Sequence, residues 1–163
     1  MHIDVLNRKK KKEILGKVRS IYEFSEEIIK ELENFQFFFT GKEKIRMFSG
    51  NLDLKNFVNI NRQMNVQNTG IYFATIERGF FRLSFEILTI YGKYATKNFI
   101  VLTEEQKKQW LQGEDIRINE EQIKKISCEC PIIKTLKGDI LSSGLIKNNI
   151  VLNYLPKEAR NSI

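Results

Sequence analysis

The chemistry available to this 163-residue chain is concentrated in cations near its C-terminus. Lys134, Lys137, Lys147, Lys157 and Arg160 are interleaved there with short apolar runs and with Gly138, Gly144 and Asn153. Ammonium and guanidinium groups held on small strands are the groups that contact phosphate oxygens. Asn153 adds an amide that both donates and accepts. Arg78 and Arg82 flank a Gly-containing turn further upstream and offer the same chemistry. Glu77, Glu86 and Asp139 are candidate acid–base groups. No two of them stand at a spacing that demands catalysis, so they read as solvated or turn carboxylates.

Residue types set other chemistries aside. The one histidine, His2, sits at a terminus, and any Ser-His-Asp or Cys-His mechanism would have to run through it. Cys128 and Cys130 are one residue apart, a spacing that strains a disulfide, and they lack the further ligands a structural zinc site needs. They read as small buried residues. There is no G-x-G-x-x-G, and Gly41-Lys42 lacks the upstream glycine of a phosphate loop. No catalytic residue, metal or cofactor is therefore expected.

Charge is uneven. The chain carries a net +7. Residues 1–20 hold seven basic and two acidic side chains, including the run Arg8–Lys12, and residues 131–163 hold five basic and two acidic. The 110 residues between them net −1. The two ends make one basic face or two separate patches, depending on the fold. The N-terminal run is either a solvated lead-in or a nucleic-acid contact. No apolar run of membrane-spanning length exists and the start lacks a signal-peptide core, so a cytoplasmic location is expected.

Several elements would have to position these side chains. Ile14, Leu15, Val18, Ile21 and Tyr22 share one helical face, and Ser25-Glu26-Glu27 caps a second helix. Phe37–Phe39 and Ile45–Phe48 form a hairpin around Gly41, Leu52–Val58 a short helix, and 59–68 a loop. Gly70–Ile76 is a strand, Glu77-Arg78-Gly79 a turn, and the alternation Phe81, Leu83, Phe85, Ile87 predicts one continuous strand. Asn98–Leu102 is extended, and Thr103 with Gln106 forms a capping box for a helix that ends at Gly113, with Trp110 and Leu111 as core anchors. Strands follow at 131–136, 140–147 and 150–154. They are joined by turns at Lys137-Gly138-Asp139 and Asn148-Asn149, and Gly144 marks a bulge or a close backbone approach. Closely spaced short strands favour a small barrel.

The tail also resembles a known pattern. Gly138, Gly144, Lys147, Leu152, Asn153, Tyr154, Pro156, Lys157 and Arg160 match the PUA-like RNA-binding domain that closes RNA cytosine-C5 methyltransferases of the Fmu/Sun type, with Leu155 as an intervening residue. Trp110-Leu111-Gln112-Gly113-Glu114 resembles the family's Tyr-Leu-x-Gly-Glu. The stretch from Gly70 to Ser84 resembles a further segment in which Leu83 and Phe85 replace Pro and His. The likeness covers residues from about 65 to 160 and extends to small stand-alone ribosome-biogenesis proteins of the same family. The family's catalytic parts, an S-adenosylmethionine site and a cysteine after proline, have no counterpart here. Cys130-Pro131 runs in the reverse order.

The resemblance implies an α+β protein with an N-terminal mixed α/β (pre-PUA-like) domain over residues 1–95 and a C-terminal PUA-like β-barrel over 96–163. It implies a non-catalytic RNA-binding protein acting on rRNA or tRNA in ribosome biogenesis or RNA modification. Its partners would be structured RNA, an RNA methyltransferase or a ribosomal precursor, with no membrane. The RNA-binding residues expected are Lys134, Lys137, Lys147, Asn153, Lys157 and Arg160, then Arg78 and Arg82. Two alternatives stand beside it. One is an adaptor or methyltransferase accessory subunit docking through Phe35, Phe37, Phe38, Phe39 and Phe48. The other is a small S-adenosylmethionine-dependent enzyme.

Overall fold

The chain's computed structural model describes residues 3–50, 53, 56, 59 and 70–160. The helix expected over Leu52–Val58 and the loop over 59–68 lie largely outside the described residues.

The first helix, α1 (Arg8–Tyr22), has no acid in its first turn. Its lysine run therefore faces the positive end of the helix dipole. The Asn7 cap, which accepts from Lys10 N at 2.9 Å, and a buried stripe of Ile14, Leu15, Val18 and Tyr22 offset this. Helix α2 (Glu26–Glu33) is capped by Ser25, carries two acids in its first turn and buries Ile28, Ile29 and Leu32. Against these helices lies an antiparallel sheet of β1 (Ile3–Val5), β2 (Gln36–Thr40), β3 (Lys44–Phe48), β4 (Ile71–Glu77) and β5 (Phe80–Leu83), in that spatial order. Phe37 and Phe73 pack edge to face at 4.9 Å in its core. Phe37 and Phe38 are each 1% exposed and Phe35, Phe39 and Phe48 are half-buried. The aromatic run that the adaptor alternative would use for docking is thus largely turned into the fold, as a hydrophobic core for this half.

The strand expected through Ile87 stops at Leu83. Ser84 Oγ accepts from Ile87 N at 3.1 Å and opens helix α3 (Phe85–Tyr91). Phe85 and Ile87 fit a strand period, but Ile87, Leu88 and Tyr91 fit a helix equally well, and the serine cap decides between them.

The remaining residues build a second five-stranded sheet. Its strands are β6 (Phe99–Val101), β7 (Ile116–Arg117), β8 (Ile132–Lys134), β9 (Ile140–Lys147) and β10 (Ile150–Asn153), in the order β6-β8-β9-β10-β7. The β6–β8 pair is parallel and the other pairs are antiparallel. This sheet curls into a half-barrel, so the protein is α+β with a barrel-like C-terminal region. All five strands send apolar side chains to one core: Ile100, Ile116, Ile133, Leu141 and Val151. Helix α4 (Glu104–Gln112), with both bonds of its Thr103–Gln106 capping box formed, fills that core with Trp110. The indole N–H is not left unpaired on burial, since Nε1 donates to Ser142 Oγ at 3.0 Å.

Gly144 is not a bulge with respect to β10: the pairing runs unbroken through Gly144↔Asn153. A Cβ there would collide with Val151 Cγ1 and lie 3.3 Å from both the Trp110 ring and Leu152 O. The register shift in this sheet falls instead between Ile133 and Lys134. Sequence reasoning also missed β7 and the short helix α5 (Glu120–Lys124), although Asn119 and Gln122 form a second complete capping box.

The two sheets join around residues 127–132. Tyr22 Oη donates to Cys130 O at 2.8 Å and Asn98 Nδ2 donates to Ile21 O at 2.6 Å. Ser143 Oγ donates to Leu83 O at 3.4 Å, and Ile132 of β8 packs into the core of the first sheet.

Candidate functional site

Where β4 and β5 meet β9 and β10, a cleft of about 170 Å³ opens. Side chains two apart on a strand share one face. Four such pairs line the cleft: Thr75 and Glu77, Phe80 and Arg82, Leu145 and Lys147, Leu152 and Tyr154, with Arg78 and Cys130 completing it. Register makes them neighbours across strands, with Thr75 opposite Arg82, Glu77 opposite Phe80 and Leu145 opposite Leu152. The volume lies below the roughly 300–1,000 Å³ of drug-sized ligand sites. It suits one flat ring better than a whole cofactor.

Local chemistry holds this lining in place. Arg78 (φ +49) and Gly79 (φ +87) turn the β4–β5 hairpin, and Asn148 (φ +48) and Asn149 (φ +62) turn β9–β10. Positive φ at both central residues is the hairpin turn whose twist matches the strands it joins. The Arg82 guanidinium lies over the Tyr154 ring, 4.3 Å from its centroid, while Tyr154 itself is exposed. A cation–π pair of this kind presets two planar groups for stacking. Glu77 and Arg78 form a long ion pair of 3.8 Å, with the Arg78 side chain 84% exposed.

Of the side chains expected from sequence to bind RNA, Arg78, Arg82 and Lys147 come together in this cleft. Lys137 and Lys157 are exposed, the first on the turn after β8 and the second in the single turn of 3-10 helix over Lys157–Ala159. The other three are engaged inside the fold. Asn153 Nδ2 donates to Trp110 O at 2.8 Å and to Glu114 O at 3.0 Å, and its Oδ1 accepts from Leu155 N at 2.8 Å. Both amide protons are thereby used within the fold, a structural role beside the RNA contact expected from sequence. The Arg160 guanidinium fills the space a Cβ on Gly113 would need, and its Nη2 donates to Leu155 O at 3.4 Å. Lys134 Nζ donates to Ala95 O at 3.2 Å and sits 4.1 Å from the Phe99 ring centroid, and burial lowers its pKa.

Sequence reasoning missed Glu77 as a cleft residue and Tyr154 as the partner of Arg82. The period-two pairs on each strand were readable, but which strands face each other was not.

Other candidate groups are quieter. Burial pushes the Cys128 thiol up to about 12 and the Cys130 thiol up to about 11, which keeps both protonated and poorly nucleophilic. Asp139 belongs to the turn after β8, its carboxylate accepting from Thr135 Oγ1 at 3.1 Å. Glu86 is an exposed residue in the first turn of α3. Among the described residues no group of three or more His, Cys, Asp or Glu side chains is placed to hold a metal, and no helix is long and apolar enough to cross a membrane.

No protein-family model matches the chain, and no curated protein matches it.

Proposed function

We propose that the protein is a non-catalytic RNA-binding module acting in the cytoplasm on rRNA or tRNA, with the half-barrel as a PUA-like domain and the first sheet as the unit that precedes it. One observation carries this reading: cations from two segments distant in sequence, Arg78 and Arg82 from one and Lys147 from the other, line one cleft with an exposed tyrosine and an apolar floor. RNA offers what such a cleft takes, phosphates for the cations and splayed bases that stack on aromatic rings and guanidinium planes. The resemblance in the tail gains support from packing. Its distinctive closing string, Asn153–Arg160, lies against another matched piece, Trp110–Glu114, through the Asn153 and Arg160 contacts. Asn153 and Arg160 therefore help build the domain, and RNA contact falls to the cleft, which Tyr154 of the same string lines.

The test is a titration with rRNA or tRNA at several salt concentrations. Log affinity should fall with log salt by about 0.7–0.9 per phosphate neutralised. The double charge reversal Arg78→Glu with Lys147→Glu should lower affinity at least about tenfold and flatten that slope. Absent binding, or binding indifferent to salt, would refute the proposal.

A further inference from the structure

Glu77 does not fit a cleft that serves phosphate alone. A carboxylate repels phosphate, yet this one lines the same wall as Arg78, Arg82 and Lys147. Its ion pair with Arg78 is long and solvent-exposed, so the carboxylate oxygens remain accessible to another donor. Phe80 lies opposite it across the hairpin, and the Arg82–Tyr154 stack shares the cleft. Flat surfaces for a ring and an acceptor pair for the ring's edge thus occur in one space of about 170 Å³.

Resting on the RNA-binding reading above, we propose that the cleft takes a single unstacked guanine, its ring against the Arg82–Tyr154 pair and its Watson–Crick edge on Glu77. The choice follows from the edges of the bases. Guanine presents two adjacent donors, N1–H and the N2 amino group, which match the two oxygens of a carboxylate. Adenine and cytosine each place a ring nitrogen acceptor beside their amino group. Uracil flanks its one ring N–H with two carbonyls. Any of these three sets a lone pair against the second carboxylate oxygen. Bases in unpaired segments expose this edge, whereas duplex bases do not.

Uridine hexamers carrying one central guanosine, adenosine, cytidine or inosine, with the all-uridine hexamer as reference, test the inference by fluorescence anisotropy at fixed low salt. The guanosine oligomer should bind about 10- to 100-fold more tightly than the adenosine, cytidine and uridine ones. Inosine keeps N1–H and lacks the amino group, so it should lose about tenfold of that advantage. Glu77→Gln should remove the preference, and its exposed position at the end of β4 leaves the core untouched, as an unchanged melting temperature would confirm. Equal affinity for all five oligomers with normal salt dependence would overturn guanine selection and leave RNA binding standing. No binding to any oligomer or to folded rRNA would overturn both.

Discussion

Replacing Asn153 with alanine separates a residue that builds the fold from one that touches RNA. The side chain makes three hydrogen bonds, to Trp110 O, Glu114 O and Leu155 N, all between 2.8 and 3.0 Å. Each such bond contributes about 1 kcal/mol net. The Glu114 bond is exposed to solvent, and water can replace part of it on truncation. The expected loss is therefore about 2 kcal/mol. At roughly 2–4 °C per kcal/mol for a chain of this size, the melting temperature should fall by about 4–8 °C. Asn153→Asp keeps the acceptor toward Leu155 N but sets a negative charge against two carbonyls, so it should destabilise at least as much. Thermal denaturation by circular dichroism reads the first effect. Anisotropy with RNA at a temperature where both variants are folded reads the second, and affinity should stay within about twofold of the parent protein, a difference near 0.4 kcal/mol. An unchanged melting temperature, or a tenfold affinity loss without destabilisation, would refute the inward role and return Asn153 to the binding surface.

Two further predictions test the packing around the site. Gly144→Ala forces a Cβ into Val151 Cγ1 beneath the Trp110 ring, so overpacking should cost about 1–3 kcal/mol and lower the melting temperature by roughly 3–10 °C; an unchanged melt would show that Val151 rotates away at little cost. Cys128 and Cys130 titrate near 9 when unfolded and near 12 and 11 when folded, so the unfolded state loses their protons first. Their contribution to stability is complete below about pH 9 and is lost as pH rises from 9 toward 12. Urea midpoints should fall over that range, and a disulfide reagent at pH 8 should modify the unfolded protein far faster than the native one. Flat midpoints between pH 8 and 10.5, or equal thiol rates in the two states, would contradict the burial argument.

What the sequence disclosed was local chemistry. The Ser25 cap, the Thr103–Gln106 box, the Gly113 terminator and the Asn148-Asn149 turn each depend on a few neighbouring residues, and each forms in the structure. Misreadings arose where two periods overlap, as in Phe81–Ile87, or where an element is too short to show a period, as in β7 and α5. The cleft was half legible. Arg78, Arg82 and Lys147 have the right side chains for phosphate, but Tyr154 meets Arg82 only because the hairpin of the first sheet lies against β9 and β10. Asn153 and Arg160 show the complementary difficulty. A polar residue in a distinctive motif looks like a contact from sequence, and only the carbonyls of Trp110, Glu114 and Leu155 reveal that its hydrogen bonds turn inward.

The N-terminal basic run and the cleft stand apart. The N-terminal run enters beside β1, where Leu6 N bonds to Phe37 O, whereas the cleft lies at β5. These are opposite edges of the first sheet, four strand spacings apart, or about 19 Å across the hydrogen-bonding direction. Part of the N-terminal charge is also engaged locally: Lys11 Nζ donates to Glu33 O in the last turn of α2 and to Phe35 O just beyond it at 3.0 Å, Lys10 pairs with Asp4 at 3.6 Å, and Arg19 pairs with Glu26 at 2.9 Å. At the other end, Lys134 and Arg160 bond inward. The cleft draws Arg78 and Arg82 from the segment whose formal charge is −1, and only Lys147 from the basic tail. Formal charge counted along the chain therefore does not locate the cleft's cations. Folding gathers Arg78, Arg82 and Lys147 at the cleft from two segments, while most N-terminal cations stay exposed and Lys134 and Arg160 bond to backbone carbonyls.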